Sequence, residues 1–274
     1  MSDGRITLAR PDLADQRLEG LVRAVRFAEV RAMTCQAPAA GIRRRPSDEA
    51  ALDDQLLLGE GFDVLETADG WVWGQARRDG YVGFVRLEAL APAGEAPTHR
   101  VAALSTFGFA RPDLKSPARG PYSMGAMVTA GEEINGFVDA GAAGFIFAAH
   151  LSPIGRFETD PASAAERFLG VPYLWGGRSA LGLDCSGLVQ QAWQACGRAC
   201  PRDADQQLAA FPAEPGGALA RGDLAFWRGH VGVLLDGDRL IHANAHHMAV
   251  AMEPLDQAVE RIRPLAGEPA FRRP

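Results

Sequence analysis

The stretch Leu183-Asp184-Cys185-Ser186-Gly187-Leu188-Val189-Gln190, continued by Gln191-Ala192-Trp193-Gln194-Ala195-Cys196-Gly197, constrains this chain most. Leu188, Val189, Ala192, Trp193 and Cys196 recur at the three-to-four spacing of one helix face, and Gly197 supplies a stop. Cys185 therefore falls at a helix N-terminus. Unpaired backbone N–H groups and the macrodipole favour negative charge there, which lowers a thiol from its free pKa of about 8.5. An isolated cysteine is most often a buried structural thiol. Asp184, Ser186 and Gly187, however, are too polar and too small to line a core. The pattern predicts a nucleophile.

A nucleophile needs a base, and two candidates lie on neighbouring runs. Gly229-His230-Val231-Gly232-Val233-Leu234-Leu235 and Arg239-Leu240-Ile241-His242-Ala243-Asn244 flank Asp236-Gly237-Asp238, which reads as a β-hairpin. A loop of Leu235-Asp236-Gly237, a type I turn closed by a left-handed glycine, sets His230 opposite His242 on one face. A two-residue Asp236-Gly237 turn sends the histidines to opposite faces. The first is favoured.

Five strings carry a family resemblance: Gly170-Val171-Pro172-Tyr173-Leu174-Trp175-Gly176-Gly177, Asp184-Cys185-Ser186-Gly187-Leu188-Val189, Gly222-Asp223-Leu224-Ala225-Phe226-Trp227, His230-Val231-Gly232 and Ile241-His242-Ala243. In order and spacing they closely resemble the NlpC-type cysteine peptidases of bacterial cell-wall peptides. The resemblance implies an α+β fold with a papain-like catalytic domain over residues 158–268. It makes Cys185 the nucleophile, His230 the general base and then acid, and His242 the residue that orients His230. Tyr173 is implied as an oxyanion or orienting hydroxyl, its bland alternative being a core tyrosine.

With 274 residues, the chain suits two or three small domains. A net charge of −6 argues against a nucleic-acid partner. Lys115 is the only lysine among the cations. The cysteines at 35, 185, 196 and 200 show no paired zinc spacing, and a disulfide-stapled fold is not expected. His246 and His247 follow His242 closely, yet acidic or thiolate ligands at a recognisable spacing are missing. They read as the rim of the cleft; no metal and no cofactor are expected. The opening residues lack an apolar stretch of signal-peptide length, and no run approaches a membrane span, so the expected location is cytoplasmic. There a cell-wall peptidase meets released peptides rather than intact polymer.

Residues 1–29 read as a helical leader, because Leu13, Leu18, Leu21, Val22 and Val25 fit one amphipathic helix. Residues 30–92 contain short strands separated by Ala68-Asp69-Gly70 and Arg78-Asp79-Gly80, which predicts a small antiparallel barrel. The stretch from Leu58-Gly59-Glu60 through Trp71-Val72-Trp73 to Tyr81-Val82-Gly83-Phe84-Val85 resembles the bacterial SH3-like domains that accompany these peptidases. Trp71, Trp73 and Tyr81 read either as a recognition surface or as barrel core. Residues 98–152 suggest a second, divergent SH3-like copy. Asp160 caps a helix that opens on Pro161, and Arg261-Ile262-Arg263-Pro264, followed by Pro269 and Pro274, reads as a loose tail.

In the SH3-bearing peptidases that this chain resembles, a glutamate and a tyrosine of the first barrel close the cleft, so that only peptides with a free N-terminal L-alanine fit. Glu60 and Tyr81 match those motifs. With Asp184 and Ser186 beside the nucleophile, they form the expected substrate-binding set, an ammonium gaining charge-assisted hydrogen bonds. The alternative for Glu60 is a solvated barrel edge. Arg202, in Pro201-Arg202-Asp203, meets a substrate carboxylate or braces Asp203. The implied reaction on a small murein peptide is cleavage of the γ-D-glutamyl–L-diamino acid bond, releasing L-Ala-γ-D-Glu during peptide recycling. The rivals are an endopeptidase on intact peptidoglycan with SH3-like wall anchors, and a non-catalytic binding protein.

Overall fold

Runs of apolar residues at every second position, such as Met33 and Cys35 or Phe62 and Val64, place one side of each early strand in a common interior. The computed structural model describes residues 3–212 and 216–274, which divide into two units, Met1–Ile154 and Gly155–Pro274. Among the described residues, no helix is long and apolar enough to cross a membrane.

In the first unit, seven antiparallel strands lie in the order Leu52–Leu57, Ala39–Arg43, Val82–Arg86, Trp71–Ala76, Gly61–Ala68, Arg31–Cys35 and Leu90–Pro92. Asp69 and Gly70 join two of them in a two-residue turn with φ of 50° and 77°, the left-handed pair that matches strand twist. Ile42, Leu56, Phe62, Val72, Tyr81 and Val85 fill the barrel. Two further sheets follow, one centred on His99–Val101 and the other running from Ala118–Ser123 to Glu133–Ile134, around Val101, Tyr122, Val128 and Ile146. This second block ends in a strand, a 3-10 turn and a strand (Phe145–Phe147, Ala148–His150, Leu151–Pro153), as the first does with Val82–Arg86, Leu87–Ala89 and Leu90–Pro92.

The N-terminal segment is not a helix. Leu13–Asp15 pairs in parallel with Arg26–Ala28, and only a 3-10 turn, Gln16–Leu18, lies between. Leu8 and Leu13 pack on Trp73 at the outer face of the barrel, whereas Leu21 and Val25 are 78% and 88% exposed. The segment's buried apolar contacts are thus made by Leu8 and Leu13, while two residues of the expected helix stripe, Leu21 and Val25, cover nothing. Trp71, Trp73 and Tyr81 are all buried, and Arg10 and Arg86 lie over the two indoles at 4.1 and 4.3 Å. The recognition-surface reading therefore gives way to a packing role.

The second unit has four helices, α1 (Pro161–Glu166), α2 (Cys185–Ala195), α3 (Ala204–Ala210) and α4 (Leu255–Ala266), among the described residues. Asp160 caps α1 by accepting from the Ala162 N–H at 2.9 Å. Ala249–Pro254, Arg239–Asn244, His230–Leu234, Leu224–Trp227 and Ala270–Arg272 form one antiparallel sheet in that order. Leu188, Val189, Ala192 and Trp193 are buried, which fixes α2 between the sheet strands that it packs on and α1.

The tail is not loose. Leu255, Ala258, Val259, Ile262 and Ala266 share a helical face that covers Trp227, Leu234 and Leu240, and Ala270–Arg272 then completes the sheet beside Leu224–Trp227. Pro264 lies in the last turn of α4, where its missing N–H removes a single ladder bond.

Candidate active site

Cys185 is the first residue of α2 because Asp184 caps that helix. Oδ1 of Asp184 accepts from the Gly187 N–H at 2.8 Å, and Oδ2 from the Gly176 N–H at 2.8 Å. Gly187 has to be glycine here: a Cβ would stand 2.4 Å from the Gly177 carbonyl oxygen. Arg202, 1% exposed, donates through Nη1 to Oδ1 at 2.9 Å and through Nη2 to Oδ2 at 2.8 Å. It also donates to the Ser186 hydroxyl and the Gly177 carbonyl, at 3.0 and 3.2 Å. Ser186 in turn donates to Oδ1 at 3.3 Å. Five donors thus occupy the lone pairs of Asp184. Its carboxylate builds the domain interior, and Arg202 braces Asp184.

The Val231 N–H, next in the chain to His230, and the Ser186 N–H both pull the Cys185 thiol down. Burial nevertheless pushes the thiol up to about 12; the Asp184 carboxylate adds to this, and those N–H groups and Arg202 pull the other way. The helix start thus lessens but does not overcome the cost of a buried anion, contrary to the depression expected from the sequence. Burial also brings His230 down to about 3, with His242 and Arg261 acting in the same sense and Glu253 opposing. Both shifts favour the neutral thiol and the neutral imidazole. Burial raises the hydroxyl of half-buried Tyr173 too; Cys185 and Asp184 raise it further and Arg202 lowers it, so all three lie within its electrostatic reach.

The hairpin turn differs from the expected one. Val233 pairs with Ile241 and Leu234 with Leu240, while the Leu235 N–H donates to the Arg239 carbonyl at 2.9 Å. The loop is Asp236-Gly237-Asp238. It is shaped by Oδ1 of Asp236, which accepts from the N–H groups of Asp238 and Arg239 at 2.9 and 2.8 Å. Pairing slides by two residues, so parity is kept and both histidines stay on one face. They meet diagonally, Nε2 of His230 lying 2.8 Å from Nδ1 of His242.

Behind them is a residue with no recognisable signal in the sequence. Nε2 of His242, which is fully buried, lies 2.6 Å from Oε1 of Glu253, and the Arg261 guanidinium contacts that same oxygen. Burial raises the Glu253 carboxyl, but the hydrogen bonds from His242 and Arg261 outweigh it and hold the group down at about 2. His242, His247 and Glu253 have donor atoms within 4.8 Å of one another. A cation there would face the Arg261 charge on the same carboxylate, so the chemistry suits a hydrogen-bonded relay. His247 is tied to Asn244, its N–H and Nδ1 lying 2.8 and 3.0 Å from Oδ1.

Cys185, His230, His242, Tyr173, Asp184 and Ser186 all belong to the second unit, Glu60 and Tyr81 to the first. Glu60 is 4% exposed, which removes the solvated-edge alternative. Its Oε2 accepts from the Leu57 N–H at 2.9 Å, and Arg78 donates to both oxygens at 3.1 and 3.2 Å. Burial raises its carboxyl to about 7 against the pull of Arg78 and the Leu57 N–H, with Asp79 adding to the rise. The Tyr81 ring packs in the barrel core.

A helix-borne cysteine packed on an antiparallel sheet that carries two bonded histidines defines the papain-like class of α+β domain. Residues 170–262 match the NlpC/P60 family and residues 42–90 the bacterial dipeptidyl-peptidase Sh3 domain, so the chain carries an NlpC/P60 domain behind an SH3 domain. It is 40% identical over 84 residues to a gamma-D-glutamyl-L-lysine dipeptidyl-peptidase of Bacillus subtilis, which covers 28% of either protein. Over 112 residues it is 33% identical to dipeptidyl-peptidase 6 of Lysinibacillus sphaericus, 40% of this chain and 41% of that protein. The matched segments thus span less than half of these relatives. The crystal structure of an NlpC/P60 family protein from Bacillus cereus ATCC 10987 shares the fold, with a TM-score of 0.76 at 20% identity over 88% of this chain and 99% of that one.

Proposed function

We propose that this chain is a cysteine peptidase that cuts the γ-D-glutamyl–L-diamino acid bond of free murein peptides with an unblocked N-terminal L-alanine, releasing L-Ala-γ-D-Glu. The chemistry is carried by one observation, the 2.8 Å contact of His230 with His242 on the strands against which the Cys185 helix packs. In this mechanism Sγ of Cys185 attacks the γ-carbonyl carbon as its proton passes to Nδ1 of His230. Backbone N–H groups at the helix start receive the oxyanion. Collapse breaks the C–N bond, and the proton on His230 goes to the leaving amine. A water molecule deprotonated by His230 then hydrolyses the thioester.

The substrate assignment draws support from the SH3 domain type and from relatives named as dipeptidyl-peptidases. Peptide recycling in the cytoplasm is the setting that fits a free peptide. The test is mass spectrometry of products from L-Ala-γ-D-Glu-diaminopimelate. L-Ala-γ-D-Glu is expected from the wild type, nothing from Cys185→Ala, and nothing from the N-acetylated peptide. Equal cleavage of the acetylated or glycan-linked peptide overturns the substrate in favour of an endopeptidase, and no cleavage of any of them overturns the peptidase reading.

A further inference from the structure

An imidazole is a useful base only if its proton sits on the nitrogen that faces away from the reaction. In the mechanism above, on which this inference rests, Nδ1 of His230 takes the thiol proton. Its own proton must then lie on Nε2, the atom 2.8 Å from Nδ1 of His242. That second atom accepts only when His242 carries its proton on Nε2 instead, and there the partner is Oε1 of Glu253 at 2.6 Å. An ionised carboxylate accepts and never donates. We propose that Glu253 is the positioning residue that fixes the tautomer of both imidazoles. By accepting from Nε2–H of His242, it makes Nδ1 of His242 the acceptor for Nε2–H of His230 and leaves the Nδ1 lone pair of His230 for Cys185.

The fold supplies the placement. Glu253 lies two residues beyond Ala251, the partner of His242 across the sheet, and so on the same face. Arg261, two turns into α4, reaches back to the same carboxylate and keeps it ionised. Without that acceptor, the fully buried Nε2–H of His242 loses its carboxylate partner, and the tautomer with the proton on Nδ1 takes over. His230 is then forced to accept at Nε2 and to carry its proton on Nδ1, where it blocks the thiol. The charged and titratable groups facing His230 are His242, Arg261 and Glu253; those facing His242 also include His247; those facing Cys185 are Asp184, Arg202 and Tyr173.

The experiment is long-range proton–nitrogen NMR of the histidine side chains of the full chain at pH 7, with the two signals assigned through His230→Ala and His242→Gln. The wild type is expected to show Nε2–H and an unprotonated Nδ1 on both residues. Glu253→Leu should move His242 toward Nδ1–H and slow alkylation of Cys185 by iodoacetamide by about 10²-fold or more. Glu253→Gln, whose carbonyl oxygen still accepts, should retain the wild-type tautomers and recover most of that rate. A proton on Nδ1 of His242 in the wild type overturns the proposal whatever the stability of the variants. Unchanged tautomers in Glu253→Leu overturn it as well. Neither readout involves a peptide, so failure to cut murein peptides is a separate result. Alkylation of His230→Ala at the wild-type rate shows instead that His230 does not serve Cys185.

Discussion

Arg202 grips both oxygens of Asp184, Nη1 to Oδ1 at 2.9 Å and Nη2 to Oδ2 at 2.8 Å, directly beneath the first turn of the helix that carries Cys185. The paired geometry suits a planar guanidinium and no other side chain. Removing one partner of a buried pair leaves the other uncompensated, at a cost of about 3–5 kcal/mol. Arg202→Met is therefore expected to lower the unfolding free energy by that order and to release the start of α2. Arg202→Met with Asp184→Asn should regain part of the stability, because the amide still caps the helix without a stranded charge. Urea denaturation of the wild type and the two variants checks this; an Arg202→Met variant as stable as the wild type sinks it.

Gly232 directly precedes Val233, the partner of Ile241, so it lies beside His242 across the hairpin, and its bare backbone leaves room for the two imidazoles to meet on the diagonal. A Cβ at this position would stand 2.4 Å from Cδ1 of Leu240 and 3.1 Å from Cβ of His242. Gly232→Ala is expected to destabilise the sheet by about 1–3 kcal/mol and to push His242 off its partner. Activity should fall further than the folded fraction does, when kcat is compared with the folded population from circular dichroism.

Features encoded by neighbouring residues were legible in the sequence. Asp184 and the apolar spacing from Leu188 to Cys196 locate the start of α2, Asp160 with Pro161 locates α1, and hairpin parity places His230 and His242 on one face. What was missed depends on distant surfaces. Leu21 and Val25 have helical spacing but nothing to cover, so the leader forms strands instead. Pro264 looks like a terminator, and only the packing of Leu255 and Ala258 shows that the helix runs through it. Glu253 and Arg202 act through partners 11 and 18 residues away, a separation that has no periodicity to betray it.

Tyr173 is held by its backbone, its N–H donating to the Met248 carbonyl at 2.9 Å, with its hydroxyl within the field of Cys185, Asp184 and Arg202. A donor aimed at the developing oxyanion contributes about 10²-fold to the rate. Tyr173→Phe is expected to lower kcat by that order, with the unfolding midpoint and the iodoacetamide reactivity of Cys185 unchanged. A fall in stability of the same size as the fall in rate would return Tyr173 to a packing role.

The two imidazoles, His242 fully buried and His230 half-buried, also set how the fold responds to acid. Burial depresses His230 to about 3 and lowers His242 as well, while both titrate near 6.5 in the unfolded chain. Below about pH 6.5 the unfolded state binds protons that the native state refuses, so stability is complete above that pH and is lost as the pH falls toward the folded values. Glu253, held at about 2, acts with the same sign but lower down, its contribution being lost between about 4.5 and 2. Unfolding free energies from urea titrations should therefore decline from pH 6.5 to 4.5, but less steeply than the two imidazoles alone would give, because Glu60, raised to about 7, takes up a proton in the folded chain over the same window and so acts with the opposite sign. Replacing His230 by asparagine removes one of the two protons involved, so the slope in that window should ease by up to about 1.4 kcal/mol per pH unit. A slope identical in wild type and variant would mean that His230 is protonated in the folded protein, and the neutral thiol–imidazole pair would have to be abandoned.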